Sequence, residues 1–77
     1  MVNKLLNDAI NEIKNLEDGE IFLVKDLFKG YEWNRIERNV RLRLGILFLN
    51  HVNSNIELGV IPLEKTSSNQ QRYKKQI

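Results

Sequence analysis

Cysteine is absent from this 77-residue chain, so neither a disulfide framework nor a thiolate metal site can hold it together. Histidine occurs once, at position 51, which leaves too few imidazoles for a histidine-built metal centre. Proline also occurs once, and the four glycines are isolated, so no glycine-rich phosphate-cradling loop is present. The serines, Ser54 and the Ser67-Ser68 pair, lie in turn-like contexts without a base beside them in sequence, and nucleophilic catalysis has no support there. The expectation is a chain with no catalytic residues, no metal and no cofactor. Long apolar runs are missing too. The longest stretch without a charged residue, 44–56, includes three Asn, a His and a Ser. A bilayer span needs about 20 predominantly apolar residues. No signal-peptide core is visible at the start, where Lys4, Asp8 and Glu12 interrupt the apolar positions. These absences lead to the expectation of a cytoplasmic protein with no membrane contact.

What is present is an ordinary globular composition, 42% hydrophobic and 29% charged, on a length that suits one small domain over 1–77. The net charge of +2 conceals an uneven distribution. Residues 1–32 carry four Lys against seven acids, a balance of −3. Residues 33–77 carry eight cations against three acids, a balance of +5, and all five arginines fall there. No acid follows Glu64. Such asymmetry between halves points toward a polyanion partner.

The hydrophobic periodicity predicts the elements. Val2, Leu5, Leu6, Ala9, Ile10, Ile13 and Leu16 recur at helical spacing, so an amphipathic helix is expected over 1–17, ended near Gly19. Glu20–Val24 reads as a short strand, and Lys25–Phe28 as a single helical turn stopped at Lys29-Gly30. Tyr31 and Trp33 form an aromatic pair expected to reach the core. A short turn at 33–37 and then a helix at about 39–53, with Asn39 as N-cap, follow. Trp33, Ile36, Val40, Leu44, Leu47, Phe48 and His51 share one side of this segment, and His51 reads as a half-buried, hydrogen-bonded histidine. Gly45 interrupts the helix pattern, which suggests a close backbone approach by a neighbour. Beyond Asn53–Asn55, 58–65 and 71–77 read as two strands around the turn cluster Thr66–Gln70. Pro62 confines the first of these to an edge, and Tyr73 shares a face with Gln71, Lys75 and Ile77. A lone hairpin is marginal in water, so the Ile21–Leu23 segment is expected to join as a third strand. The fold class is α+β, in the element order of a small winged-helix-like domain whose basic C-terminal hairpin is the wing.

Two surface features follow. Arg35, Arg38, Arg41 and Arg43 flank or occupy the long helix, and Lys65, Arg72, Lys74 and Lys75 decorate the hairpin. Ser67 and Gln70 add hydrogen-bonding side chains at its turn. In a winged helix these two elements meet nucleic acid, with cations binding phosphates; Tyr73 is either core or a base-stacking ring. DNA is favoured over RNA. The second feature is apolar: Leu42, Ile46 and Leu49 lie within about 60° of one another, opposite the core stripe. Such a stripe is either covered by the fold or a contact for a protein partner or a second copy of the chain. It also speaks against simple major-groove reading by this helix. The alternative function is therefore a protein–protein interaction module without nucleic-acid contact.

Three stretches carry a family resemblance: Gly30-Tyr31-x-Trp33-Asn34-x-Ile36, then Arg41-x-x-x-Gly45-x-x-Phe48-x-x-x-Val52, then Gly59-x-Ile61-x-Leu63-x-Lys65-x-Ser67-x-x-Gln70-x-x-Tyr73. On these the chain resembles, from about Ile21 to Tyr73, a family of small proteins of Gram-positive bacteria and their mobile elements, catalogued as a domain of unknown function. That family includes accessory proteins that partner an A-family DNA polymerase. The resemblance implies a non-enzymatic accessory that binds a larger replication protein, nucleic acid, or both. It also implies structural roles for Trp33, Gly45 and Phe48, and site roles for Arg41, Ser67 and Gln70.

Overall fold

The apolar spacing at the start of the chain does form a helix. In the computed structural model, which describes residues 1–76, α1 spans Val2–Glu12 and tightens into a 3-10 turn at Ile13–Asn15. Its buried face is Ala9 and Ile13, while Lys4 and Asp8 pair at 3.0 Å on the solvent side. β1 (Ile21–Phe22) follows, then a 3-10 turn at Val24–Leu27 and α2 (Gly30–Asn34). Two carboxylates start these turns: Asp26 accepts a hydrogen bond from the Leu23 amide (2.9 Å) and Glu32 from the Lys29 amide (3.1 Å). Each is the acidic half of a capping box.

The long helix α3 spans Arg38–Ser54. Glu37, not Asn39, is its N-cap, and no side chain caps it. The chain has already turned by then, with the Arg35 amide bonded to the Glu32 carbonyl and the Ile36 amide to that of Trp33, so the first helical bond runs from Arg41 N to Glu37 O (2.9 Å). Asn39 falls inside the first turn, where its side chain cannot take a cap role. The buried positions of α3 are Leu44, Phe48 and Val52, and His51 is half-buried with its Nδ1 3.4 Å from the Asn55 amide nitrogen.

A three-stranded antiparallel sheet completes the α+β fold in the order β1-β3-β2. β2 (Val60–Pro62) and β3 (Tyr73–Lys75) are shorter than the sequence suggests. Ile56–Leu58 winds into a 3-10 turn, and Gly59 adopts φ +75°, which delays β2. Glycine is needed there: the Gln76 amide donates to the Gly59 carbonyl (2.7 Å), and a Cβ would stand 3.0 Å from the Gln76 carbonyl oxygen. The close backbone approach expected at Gly45 is thus made at Gly59. Pro62 lies on an edge strand, as its missing donor requires. The expected third strand is β1, which pairs Ile21 with Lys74 and Phe22 with Tyr73. Ile77, placed with Tyr73 on one face by the sequence pattern, lies outside the described residues.

The core joins helices to sheet through three rings. Tyr73 stacks on Phe22 (centroids 5.7 Å apart) and meets Phe48 edge-on at 4.9 Å, while Phe22 and Phe48 meet at 6.4 Å. Such ring geometries add to plain area burial. Ala9, Ile13, Leu27, Val52 and Val60 close around them. Tyr31 does not join this core. It stands 54% exposed between Lys29 and Arg35, whose charged ends lie 5.9 and 5.0 Å from its ring.

Candidate functional site

Folding places one face of α3 opposite the loop that joins β2 to β3. Between them runs an open groove of about 460 Å³, bordered also by the Leu23–Lys25 segment and by Trp33 of α2. The loop that forms one wall is held by its own polar groups. The Thr66 amide donates to the Gln70 carbonyl (2.8 Å), the Gln70 amide to Thr66 Oγ1 (3.1 Å), and Asn69 takes a left-handed φ of 67°, which Asn tolerates. Gln71 Nε2 donates to the carbonyls of Leu63 and Arg72, and Arg72 Nε donates to the Glu64 carbonyl (3.0 Å).

The groove combines an apolar floor with a cationic lining. Trp33, Leu42 and Leu49 contribute carbon above the buried Tyr73 ring, whereas Lys25, Arg38, Arg41 and Lys65 contribute positive charge. The loop adds the amides of Asn69, Gln70 and Gln71, and none of the lining residues is acidic. Arg41 lies over the Trp33 ring at 5.3 Å, and Trp33 in turn packs on Phe28 at 5.8 Å. That stacking holds the guanidinium in place at a partly desolvated position. Arg41 Nε and Tyr73 Oη are buried and find no hydrogen-bond partner among the described residues. Burial also pushes the Tyr73 hydroxyl up to about 12 from its ordinary value of 10.0. Chemically, the groove offers charge to an anionic ligand, carbon to a flat apolar one, and unused hydrogen-bonding groups to both.

The family described as Domain of unknown function (DUF1413) matches residues 7–75, from the second half of α1 to the end of β3. The chain belongs to the DUF1413 family. No curated protein and no solved structure shows a significant similarity to it. The DUF1413 match takes in every groove residue from Leu23 to Tyr73.

Of the residues singled out from sequence, Arg38, Arg41, Lys65 and Gln70 meet in this groove, with Leu42 and Leu49 beside them. Others do not. Arg35 is engaged with Tyr31, Arg43 is exposed outside the lining, and Ser67 is exposed in the loop. Arg72 ties the two arms of the hairpin together. Lys74 lies opposite Ile21 and Ile61 in the sheet, and those neighbours are 55% and 41% exposed, so it belongs to the outer face away from the groove.

Lys75 requires a correction. The charge pattern put it on the basic surface of the hairpin, but it is only 8% exposed, and its ammonium donates to the Ile13 carbonyl at 2.7 Å and the Leu16 carbonyl at 3.4 Å. It closes the 3-10 turn that follows α1, as a second donor to the Ile13 carbonyl, which already accepts the Leu16 amide (3.0 Å), and as a donor to the Leu16 carbonyl. The apolar stripe also divides. Leu42 and Ile46 are 56% and 63% exposed, while Leu49 packs against the core cluster. Tyr73, with 0% exposure, is a core ring and not an open stacking platform. Lys25 is the groove cation that sequence reasoning missed. It sits in the acidic first half, and only tertiary packing brings it beside Arg38 and Arg41.

Proposed function

We propose that this DUF1413 protein is a non-enzymatic binding module that holds nucleic acid in the groove between α3 and the β2–β3 loop. The observation that carries the reading is the lining itself: Lys25, Arg38, Arg41 and Lys65 converge on one groove that has no carboxylate. Four cations without a counter-charge attract a polyanion, and counterion release makes the attraction strongly salt-dependent. The loop amides add donors and acceptors for phosphate, sugar or base edges. The element order and the β1-β3-β2 sheet support a winged-helix-like use of α3 and the hairpin as the contact elements. The exposed side chains Leu42 and Ile46 suit insertion of α3 into a major groove poorly, since the polar base edges there offer aliphatic groups little beyond thymine methyls. A concave site with an apolar floor accepts unpaired bases more readily than a closed duplex. Such a module fits the accessory role in replication or mobile-element machinery that the family resemblance implies.

The test is fluorescence anisotropy of the chain with labelled single strands and duplexes of equal length across a salt series. Four phosphate contacts to a single strand predict a log–log slope of about −3. Absence of binding to either form at about 50 mM salt rejects the reading. One observation favours a second reading, a protein contact through α3: Leu42 and Ile46 remain more than half exposed. That reading predicts a dimer in sedimentation, or a captured replication protein such as a DNA polymerase, lost on Ile46→Asp with the fold intact.

A further inference from the structure

Gly45 lies in the interior of α3, yet nothing among the described residues demands glycine there. Its φ is not positive, and a Cβ built on it meets nothing within 4 Å. Neither backbone conformation nor internal packing accounts for it, and glycine in a helix interior lowers stability relative to alanine. The missing side chain instead leaves helix backbone bare in the groove, between Leu42 and Leu49 on the adjacent turns. An independent observation falls on the same groove. Tyr73, 0% exposed, lines it and carries a hydroxyl with no partner, as does Arg41 with its Nε. A buried hydroxyl without a partner opposes folding, and phenylalanine would fill the same space without that penalty. Two unrelated residues therefore hold the groove in a form less stable than the obvious alternative.

We infer that one nucleobase of a bound strand seats against the α3 backbone at Gly45 and, as the covering side chains shift on binding, takes up the hydrogen-bonding capacity of Tyr73 Oη and Arg41 Nε, both buried in the free chain. The inference rests on the nucleic-acid reading of the groove and assigns the part of it that contacts a base. A base is a flat ring that can lie against bare backbone, and its edge carries both donors and acceptors. The phenol can donate or accept, and the guanidinium Nε donates. A groove of about 460 Å³ is within the size range of small-ligand sites and has room for a base and its sugar. Phosphates on either side then fall to Lys25, Arg38 and Lys65.

The experiment compares the wild-type chain with Gly45→Ala and Tyr73→Phe by thermal unfolding and by anisotropy with a labelled single-stranded oligonucleotide. A second oligonucleotide of equal length, abasic throughout, keeps the phosphates and lacks the bases. Gly45→Ala is expected to raise Tm by about 4–8 °C, and Tyr73→Phe to raise it as well. Each is expected to lower affinity for the intact strand about fivefold to tenfold and to leave the weaker abasic binding unchanged. Variants that gain stability and still bind the intact strand within about twofold of wild type overturn the inference, as does a variant whose Tm falls together with its affinity. If Arg38→Ala and Lys65→Ala weaken binding while these two do not, the groove reading stands and this inference alone falls. If the wild-type chain binds no oligonucleotide, the proposed function itself is rejected, and the inference with it.

Discussion

Two grooves of similar size lie on this small domain, and their linings differ in kind. The groove between α3 and the loop has about 460 Å³; another, between α1 and the 27–36 segment, has about 520 Å³. The second is lined by Asp8, Glu12 and Glu32 against a single cation, Lys4, and that cation is already paired with Asp8. The first holds four cations and no acid, and among the described residues the two buried polar side-chain atoms without a partner both belong to its lining. Volume therefore does not separate the two. Unspent charge and unspent hydrogen bonds do, because both represent free energy available to a ligand.

The strongest way to break this contrast is to reverse its charge. The double substitution Arg38→Glu with Lys65→Glu replaces two phosphate ligands by two repulsive carboxylates. Affinity for a single strand at low salt should fall on the order of a hundredfold, and the salt slope should flatten. Asp8→Asn with Glu12→Gln in the acidic groove should change affinity by less than about twofold, because neither residue lines the basic groove and an exposed charge that touches no ligand contributes little. Comparable effects from the two pairs in anisotropy titrations would show that net charge alone drives binding and that the groove has no special part.

Tyr73 sharpens the contrast from beneath the groove floor. Its phenol ionises near pH 10 in the unfolded chain and at about 12 in the fold. Below pH 10 both states are neutral and the group adds no pH dependence. Between pH 10 and 12 the unfolded chain loses a proton that the native state keeps, so stability falls as pH rises, by roughly 2–3 kcal/mol at the upper end. Denaturant melts at pH 9 and pH 11.5 should show this loss in the wild-type chain and a smaller one in Tyr73→Phe. Tyr31→Phe, at an exposed ring, should match wild type. Equal alkaline losses in all three would mean that the Tyr73 hydroxyl is not held in the desolvated setting described.

The neighbours Lys74 and Lys75 carry the next prediction, since one strand sends them to opposite faces. Lys75→Met strands the Leu16 carbonyl and takes the charged donor from the Ile13 carbonyl, which keeps only the Leu16 amide, and should destabilise the fold by about 2 kcal/mol, lowering Tm by roughly 10 °C. Lys74→Met should leave Tm within about 3 °C. A Lys75 variant that retains its Tm would place the ammonium in solvent and return it to the basic surface.

How far the sequence could be read follows from the range of the interactions involved. α1, α3, the 24–27 turn and the edge position of Pro62 are set by local spacing and by backbone chemistry, and the periodicity shows them. The convergence of Arg38, Arg41, Lys65 and Gln70 was legible once the helix and hairpin were placed side by side. Lys25 was not, because nothing near it in sequence distinguishes it from Lys29. Lys75 differs for a related reason: alternation puts it on the face of Tyr73, but only tertiary packing shows that this face is covered by the end of the first helical segment, where the ammonium meets the Ile13 carbonyl. At Gly45 the sequence pattern suggests a packing contact, whereas the fold leaves open space beside it, which no local pattern reveals.

The smallest expected effect separates the groove from its outer edge. Leu42 and Ile46 are both more than half exposed and lie one turn apart on α3, but only Leu42 lines the groove. Leu42→Ser should weaken strand binding about threefold by removing apolar surface from the floor, whereas Ile46→Ser should stay within about 1.5-fold, and neither should move Tm by more than about 3 °C. Sedimentation of the same variants tests the competing protein-contact reading, in which Ile46 carries as much weight as Leu42 because a partner laid along α3 would cover both. If Ile46→Ser alone dissolves a dimer or releases a partner while strand binding persists, then the two residues serve different surfaces. α3 would then have nucleic acid on the side facing the loop and protein on the side turned away from it.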